Sequence, residues 1–172
     1  MTTIYALNRK YKDTTGGVLA LHFLDIALMP AITTLTAGVI VSSLLPSSGA
    51  WETVTPGQGT IDALADYKPK NKVGAYDTSI SFTLNGLDAA TVAYLRACAV
   101  SSGVAIVVEY NDGTIRLFGY DNKILDAAMM NLAENKSDSG KMPSDGVGNL
   151  IKFTGVQKDF PYALTALSQL TT

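Results

Sequence analysis

The stretch YDTSISFTL at residues 76–84 decides the fold class of this chain. Bulky side chains alternate in it with small polar or acidic ones. An alternation with a period of two is typical of a strand that has one buried and one wetted face. Asn85-Gly86 ends the stretch with turn-forming residues. We therefore predict a β-strand here, and a β-rich core around it.

The residues that follow this strand predict a helix. Asp88 can cap its N-terminus, the sequence AATVAYLRACAVSS at 89–102 forms its body, and Gly103 can end it. No other segment has comparable helical spacing and capping. We expect this one helix to flank the sheets.

A β-hairpin is predicted next along the chain. VAIVVEY at 104–110 and TIRLFGY at 114–120 are both rich in strand-forming residues, and Asn111-Asp112-Gly113 joins them. Asn, Asp and Gly tolerate the positive φ angles that tight hairpin turns require.

Three further segments are strand candidates. Residues 18–27 are apolar on both faces, which predicts a strand covered on both sides, at the centre of a sandwich or beneath a neighbouring subunit. LIKFTGVQK at 150–158 predicts another strand. Residues 123–132 fit either a strand or a helix, and we favour the strand.

Two long segments separate these elements. An excursion at about 26–60 has no charged residue from Ile26 to Trp51, so we expect it to pair with another chain. Deletion of 32–45 is then expected to spare the folded monomer. A polar loop at about 135–149 has little apolar surface to bury, and we expect it to become ordered only in an assembled particle.

This order of elements predicts a mainly β fold with a minor α+β character. We expect a β-sandwich or barrel of about six strands with one flanking helix. At 172 residues the chain is long enough for one structural domain, 1–172, and too short for two domains with cores of ordinary size.

The composition favours a subunit of a larger assembly. Charged residues are only 16 % of the chain, against about 25 % in ordinary soluble domains, and mean hydropathy is +0.20. No membrane span is expected, because the residues between Pro30 and Pro46 would reach only about 22 Å as a helix, short of a bilayer core. The N-terminus lacks an export signal, which favours a protein made in a cytoplasm. With a net charge of −2, the chain lacks the excess of positive charge that proteins use to bind nucleic acid.

Catalytic chemistry is sparse. His22 is the only histidine and Cys98 the only cysteine, which excludes a disulfide framework and a cysteine or histidine metal cluster. A Cys98–His22 pair is conceivable, but Cys98 lies among alanines without an activating neighbour.

Other candidate motifs are also weak. Asp62 with Asp66, and Asp121 with Asp126, have ordinary surface spacings. Gly57-Gln58-Gly59 and Gly146-Val147-Gly148 lack the context of a phosphate-binding loop. The acidic loop within 135–145 does not follow the calcium-loop pattern, although a weakly held cation there stays open. We predict no catalytic, cofactor-binding or metal-binding residues.

Two clusters of basic residues lie either in solvated loops or in contacts with an acidic patch on an identical neighbour. They are Arg9, Lys10 and Lys12, and then Lys68, Lys70 and Lys72.

Roughly half of the chain resembles a known family. SISFTLNG at 79–86, the helix at 88–103, VVEYNDGTIRLFGYDN at 107–122 and, above all, SGKMPSDGVGNLIKFTGVQKDFPYAL at 139–164 carry the resemblance. They resemble tail-tube-like minor structural proteins, which form rings or tubes, of tailed phages infecting Bacteroidetes, including crAss-like phages.

The resemblance implies a non-enzymatic virion protein. Its partners would be identical subunits in a ring, commonly six-fold, and other tail or neck proteins. DNA would be only passing cargo in the conduit. The protein would be made in the bacterial host cytoplasm and reside in the tail or neck. The alternatives are a ligand-binding β-sandwich module for a sugar or peptide, and a small hydrolase.

Overall fold

A computed structural model of the chain describes residues 17–55, 61–70, 73–85, 93, 96–97, 100–121, 129–138 and 148–171. These residues form eleven strands. They are β1 Val18–Asp25, β2 Leu35–Thr36, β3 Val39–Ile40, β4 Glu52–Val54, β5 Ile61–Lys70, β6 Val73–Asn85, β7 Val104–Tyr110, β8 Ile115–Phe118, β9 Asn131–Asp138, β10 Gly148–Gln157 and β11 Tyr162–Leu164.

The strands form two sheets in a mainly β, sandwich-like fold. One sheet has seven strands in the order β2-β3-β11-β8-β7-β1-β4, and the other has four in the order β5-β6-β10-β9. All neighbours are antiparallel except β11 and β3, which are parallel. The β-sandwich prediction is confirmed, and the sheets do not close into a barrel.

An aromatic core lies between the two sheets. Phe23 of the seven-stranded sheet contacts Phe82 and Phe153 of the four-stranded sheet, with ring centroids 5.8 and 5.5 Å apart. Phe82 and Phe153 stack on each other at 6.4 Å. Ile80 and Ile106 complete the centre, and both are fully buried. The alternation at 76–84 therefore points the residues of one parity into this core, as predicted.

A second core covers the opposite face of the seven-stranded sheet. Ile40, Leu44 and Trp51 of the 26–60 excursion pack there against Val107 and Leu117. Ile40 and Leu44 are fully buried. The expectation that 32–45 can be deleted without harm to the monomer is therefore wrong, because the segment covers its own sheet.

Strand β1 lies between these two cores. Leu21 and Phe23 point into the inter-sheet core, whereas Leu24 belongs to the second core. Its prediction as a strand covered on both sides is confirmed, and the chain's own segments supply both covers.

The predicted hairpin is present. Strands β7 and β8 are antiparallel, with Ile106 opposite Phe118, and the amide of Gly113 donates to the carbonyl of Tyr110 at 2.9 Å. The Asp112 carboxylate accepts from the amide of Thr114 at 2.9 Å, which fixes the turn.

The predicted helix falls largely outside the described residues. Ala93, Arg96, Ala97 and Val100 are helical, and the amide of Ser101 donates to the carbonyl of Ala97 at 3.0 Å. Within the described part of the chain, no helix long and apolar enough to cross a membrane occurs.

The boundaries around the polar loop differ from the prediction. Residues 135–138 belong to β9 and residues 148–149 to β10, so the strands extend into the predicted loop from both ends. Residues 139–147 lie outside the described residues, as do 123–128 of the ambiguous segment. Met130 makes an isolated bridge with Val104, and β9 follows, which supports the strand interpretation for the end of that segment.

Candidate functional site

His22 lies on β1, on the face of the sheet that carries the second core. Its Nδ1 is 2.9 Å from Thr53 Oγ1 on β4, and its Nε2 is 3.8 Å from Glu109 Oε2 on β7. The side chain is 12 % exposed, and Nε2 is buried without a hydrogen-bond partner. Burial lowers the pKa of His22 below its ordinary value, and the nearby Glu109 carboxylate opposes this only in part.

A cavity of about 530 Å³ lies beside this histidine. The segments around residues 45–51 and 167–171 form its walls, and most of the lining side chains are apolar. Thr53, Ser168 and Thr171 contribute hydroxyl groups.

The order Thr53, His22, Glu109 has the residue types of a hydrolytic triad without its geometry. A carboxylate must hydrogen-bond the imidazole to fix its tautomer, and 3.8 Å is too long for that bond. Thr53 lies on a short strand with its backbone extended. We therefore interpret the three residues as a polar link across three neighbouring strands. Cys98, the conceivable partner of His22, lies outside the described residues.

The predicted carboxylate pairs do not form an acid–base site. Asp62 and Asp66 lie on the same face of β5, four residues and therefore about 13 Å apart along the strand. That separation exceeds the spacing of paired glycosidase carboxylates. Asp121 is buried and accepts a hydrogen bond of 2.8 Å from the amide of Lys158, which is a structural contact. Asp126 lies outside the described residues.

The remaining sequence candidates fall mainly on residues that the structure does not describe. These are Arg9, Lys10, Lys12 and Lys72, the motif at 57–59, residues 146–147 and most of the acidic loop. Within the described ranges, no group of three or more His, Cys, Asp or Glu side chains could hold a metal ion.

The outer face of the four-stranded sheet points away from the core between the two sheets. Because Ile80, Phe82, Ile151 and Phe153 point inward, their sequence neighbours point outward. Small hydroxylated side chains line the outer face of β6, and one more lies on β10. They are Ser79, Ser81 and Thr83 of β6 and Thr154 of β10.

Charged and apolar side chains occupy the rest of this outer face. Leu64 and Val156 are about half exposed, at 53 % and 49 %. They border a depression of about 630 Å³ that also contacts Asp66, Lys68 and Lys152.

Neighbouring charges on the face are paired. Lys68 Nζ lies 2.7 Å from Asp77 Oδ2, and this hydrogen bond raises the pKa of Lys68. Lys136 pairs with Glu134, which raises the pKa of Lys136 and lowers that of Glu134. Exposed pairs of this kind contribute little to folding stability.

The two edges of this sheet are open within the described part of the chain. There, β5 pairs only with β6, over ten residues, and β9 pairs only with β10. An edge strand exposes a row of amide and carbonyl groups that can pair with another chain. Sequence reasoning missed β5 because Pro69 and four charged residues lie among its apolar positions. The alternation of Ile61, Ala63 and Ala65 was the signal that could have found it.

Two buried glutamines were also missed. Gln169 Nε2 donates to the carbonyls of Ile40 at 3.0 Å and Ser42 at 2.8 Å. Its Oε1 accepts from the amide of Thr165 at 2.9 Å. Gln157 Nε2 donates to the carbonyl of Tyr120 at 2.7 Å. Both are structural clamps, and a single glutamine in sequence gives no signal of this role.

Comparisons of the chain with protein-family models, with curated proteins and with solved structures found no match.

Proposed function

We propose that this protein is a non-enzymatic structural subunit of an oligomeric ring or tube, in the tail or neck of a tailed-phage virion. The observation that carries the proposal is that, among the residues the structure describes, both edges of the four-stranded sheet are open, with β5 on one side and β9 on the other. The sequence resemblance supports the same function.

The direction of the edge strands suits head-to-tail addition of identical copies. The sheet is antiparallel throughout and has an even number of strands, so β5 and β9 run in opposite directions. β9 of one copy can therefore pair with β5 of the next as one more antiparallel neighbour. Repetition of a heterologous contact of this kind forms a ring when the rotation closes.

Ring closure also prevents uncontrolled pairing of the exposed edge strands. A ten-residue edge strand is long for an exposed edge and would otherwise be a template for uncontrolled pairing. In a closed ring, every such edge is paired and no open edge of this sheet is left.

The outer face of the sheet suits the wall of a water-filled conduit. Hydroxyl groups of β6 line part of its centre. Its described charges are nearly balanced, with Asp62, Asp66, Asp77 and Glu134 against Lys68, Lys136 and Lys152. A surface without excess positive charge does not hold phosphates, so DNA could pass as cargo without being bound.

Under this proposal the partners are identical subunits, in the six-fold arrangement that the resemblance implies, together with other tail or neck proteins. The protein would be made in the host cytoplasm and packaged into the virion.

Light scattering coupled to size-exclusion chromatography, followed by negative-stain electron microscopy, tests the proposal. We expect rings with one defined copy number at high protein concentration, or after mixing with tail proteins. A strict monomer under all of these conditions would overturn it.

A second candidate function is the binding of a sugar or peptide, and the cavity beside His22 favours it. Its test is a thermal-shift screen with oligosaccharides and short peptides. A ligand that stabilises the wild type and not a Ser168→Trp variant, designed to fill the cavity, would support this function. The absence of any stabilising ligand from both classes would count against it.

A further inference from the structure

The two open edge strands carry opposite charges in matching order. On β5, Asp66 and Lys68 both point to the outer face of the sheet. On β9, Glu134 and Lys136 point to the same outer face, because they lie opposite Lys152 and Leu150 of β10. Each edge thus presents an acidic and a basic side chain two residues apart, and β5 carries Asp62 on the same face as well.

One antiparallel register matches both charges at once. In an antiparallel pair, each step forward on one strand is a step backward on the other. When Asp66 of one copy lies opposite Lys136 of the next, Lys68 necessarily lies opposite Glu134. All four side chains are then on the same face of the continued sheet.

The neighbouring registers are penalised. A shift of two residues in one direction places Asp66 opposite Glu134, and a shift of two in the other places Lys68 opposite Lys136. Like charges directly opposite each other destabilise a strand pair. A shift of one residue would turn inward-facing side chains outward, which the burial of the sheet's inner face forbids.

The favoured register also extends a row of charges that each copy already contains. Lys68 is bound to Asp77 within its own sheet, and Lys152 lies opposite Glu134 in the other. Across the junction the row would read Asp77, Lys68, then Glu134 and Lys152 of the neighbouring copy. Asp66 lies directly opposite Asp77 within its own sheet, and Lys136 of the neighbouring copy would place a positive charge beside these two carboxylates.

From this complementarity we infer that β9 of one copy pairs with β5 of a second copy in the register that sets Lys136 opposite Asp66 and Glu134 opposite Lys68. The inference rests on the proposed function and adds to it the register of the subunit contact. The charge pairs select the register, while the backbone hydrogen bonds of the joined edges supply the association.

Charge reversal tests the contact. Asp66→Lys and Lys136→Glu should each raise the concentration for half-maximal assembly by about tenfold, because each replaces an attraction by a repulsion at every junction. The double variant restores opposite charges and should return to within about threefold of the wild type.

Asp62→Lys, on the same face of β5 and outside the matched pairs, is the control and should show a much smaller change. If the wild type assembles and both single variants assemble equally well, the register is wrong and the proposed function stands.

Cysteine cross-linking tests the register directly, in a Cys98→Ala background. Paired residues on neighbouring strands have Cα atoms about 4.5–5.5 Å apart, which a disulfide can bridge. Asp66→Cys with Lys136→Cys should give a covalent ladder of oligomers in denaturing gels without reductant. Asp66→Cys with Glu134→Cys, two residues out of register, should give little. Equal or stronger cross-linking of the second variant would overturn the inference, and a wild type that never oligomerises would overturn the proposed function with it.

Discussion

The indole Nε1 of Trp51 donates a hydrogen bond of 2.8 Å to the carbonyl oxygen of Leu44. Both side chains are buried against the seven-stranded sheet. The bond joins two residues seven positions apart in the uncharged excursion, and both lie over the seven-stranded sheet. The excursion's buried residues Ile40, Leu44 and Trp51 fix it to the sheet, while many of the residues between them are exposed.

Leu44→Ala should therefore destabilise the isolated subunit. Leu44 is fully buried, and a Leu to Ala change at such a position costs about 2–5 kcal/mol of unfolding free energy. Val41→Ala is the matched control, since Val41 is 53 % exposed, and should change the free energy by less than about 0.5 kcal/mol. Urea unfolding of both variants measures the difference. Equal stabilities would show that the segment does not cover the sheet in solution.

Gln169→Leu should also be strongly destabilising, although it makes the side chain more apolar. The glutamine bonds the carbonyls of Ile40 and Ser42 and the amides of Thr165 and Ala166. A leucine leaves these groups without their partner, and each buried orphan costs about 1–3 kcal/mol.

Ser168→Ala is the control for this change, because Ser168 is exposed and adjacent in sequence. Its unfolding free energy should stay within about 0.5 kcal/mol of the wild type. A Gln169→Leu variant as stable as Ser168→Ala would show that the C-terminal segment does not clamp the excursion.

Local patterns predicted the parts of the fold that local interactions determine. Strand β6 follows from its alternation, and the hairpin of β7 and β8 follows from Asn111-Asp112-Gly113. The burial of β1 on both faces follows from its continuous apolar run, because such a strand must be covered twice.

Long-range packing decides the parts that were missed. The uncharged excursion is equally compatible with its own sheet and with a neighbour's, and only the positions of Ile40 and Leu44 in the second core distinguish the two. Strand β5 is half exposed with paired charges, so its composition is that of a loop. Its partner β6 supplies the register that makes it a strand. The candidate interaction surface depends on β5 and could not be predicted without it.

Gly119→Ala should cost more stability than Gly113→Ala. Both glycines have a positive φ, 81° and 80°, so an alanine is strained at either position. A Cβ at Gly119 would also lie 2.7 Å from the carbonyl oxygen of Val104, whereas a Cβ at Gly113 would meet nothing within 4 Å. We expect about 1–2 kcal/mol for Gly113→Ala and at least about 1 kcal/mol more for Gly119→Ala. Equal losses in thermal or urea unfolding would contradict the close approach.

His22 should make the stability of the subunit depend on pH. Because burial lowers its pKa in the folded state, the unfolded chain binds the proton first as the pH falls. The unfolding free energy should therefore decrease from about pH 7.5 downward, through the ordinary pKa of 6.5, until the folded histidine is also protonated. No other side chain of this protein has an ordinary pKa in that range, since His22 is the only histidine.

His22→Gln should flatten this pH profile and leave assembly intact, because glutamine keeps a polar group near Thr53 and cannot be protonated. Urea unfolding at several pH values between 5 and 8 measures the profile, and light scattering measures the assembly. A variant whose profile matches the wild type would show that His22 is not protonated differently on folding. A variant that folds and assembles normally, yet loses a measurable activity of the wild type, would instead support catalysis at His22, Thr53 and Glu109.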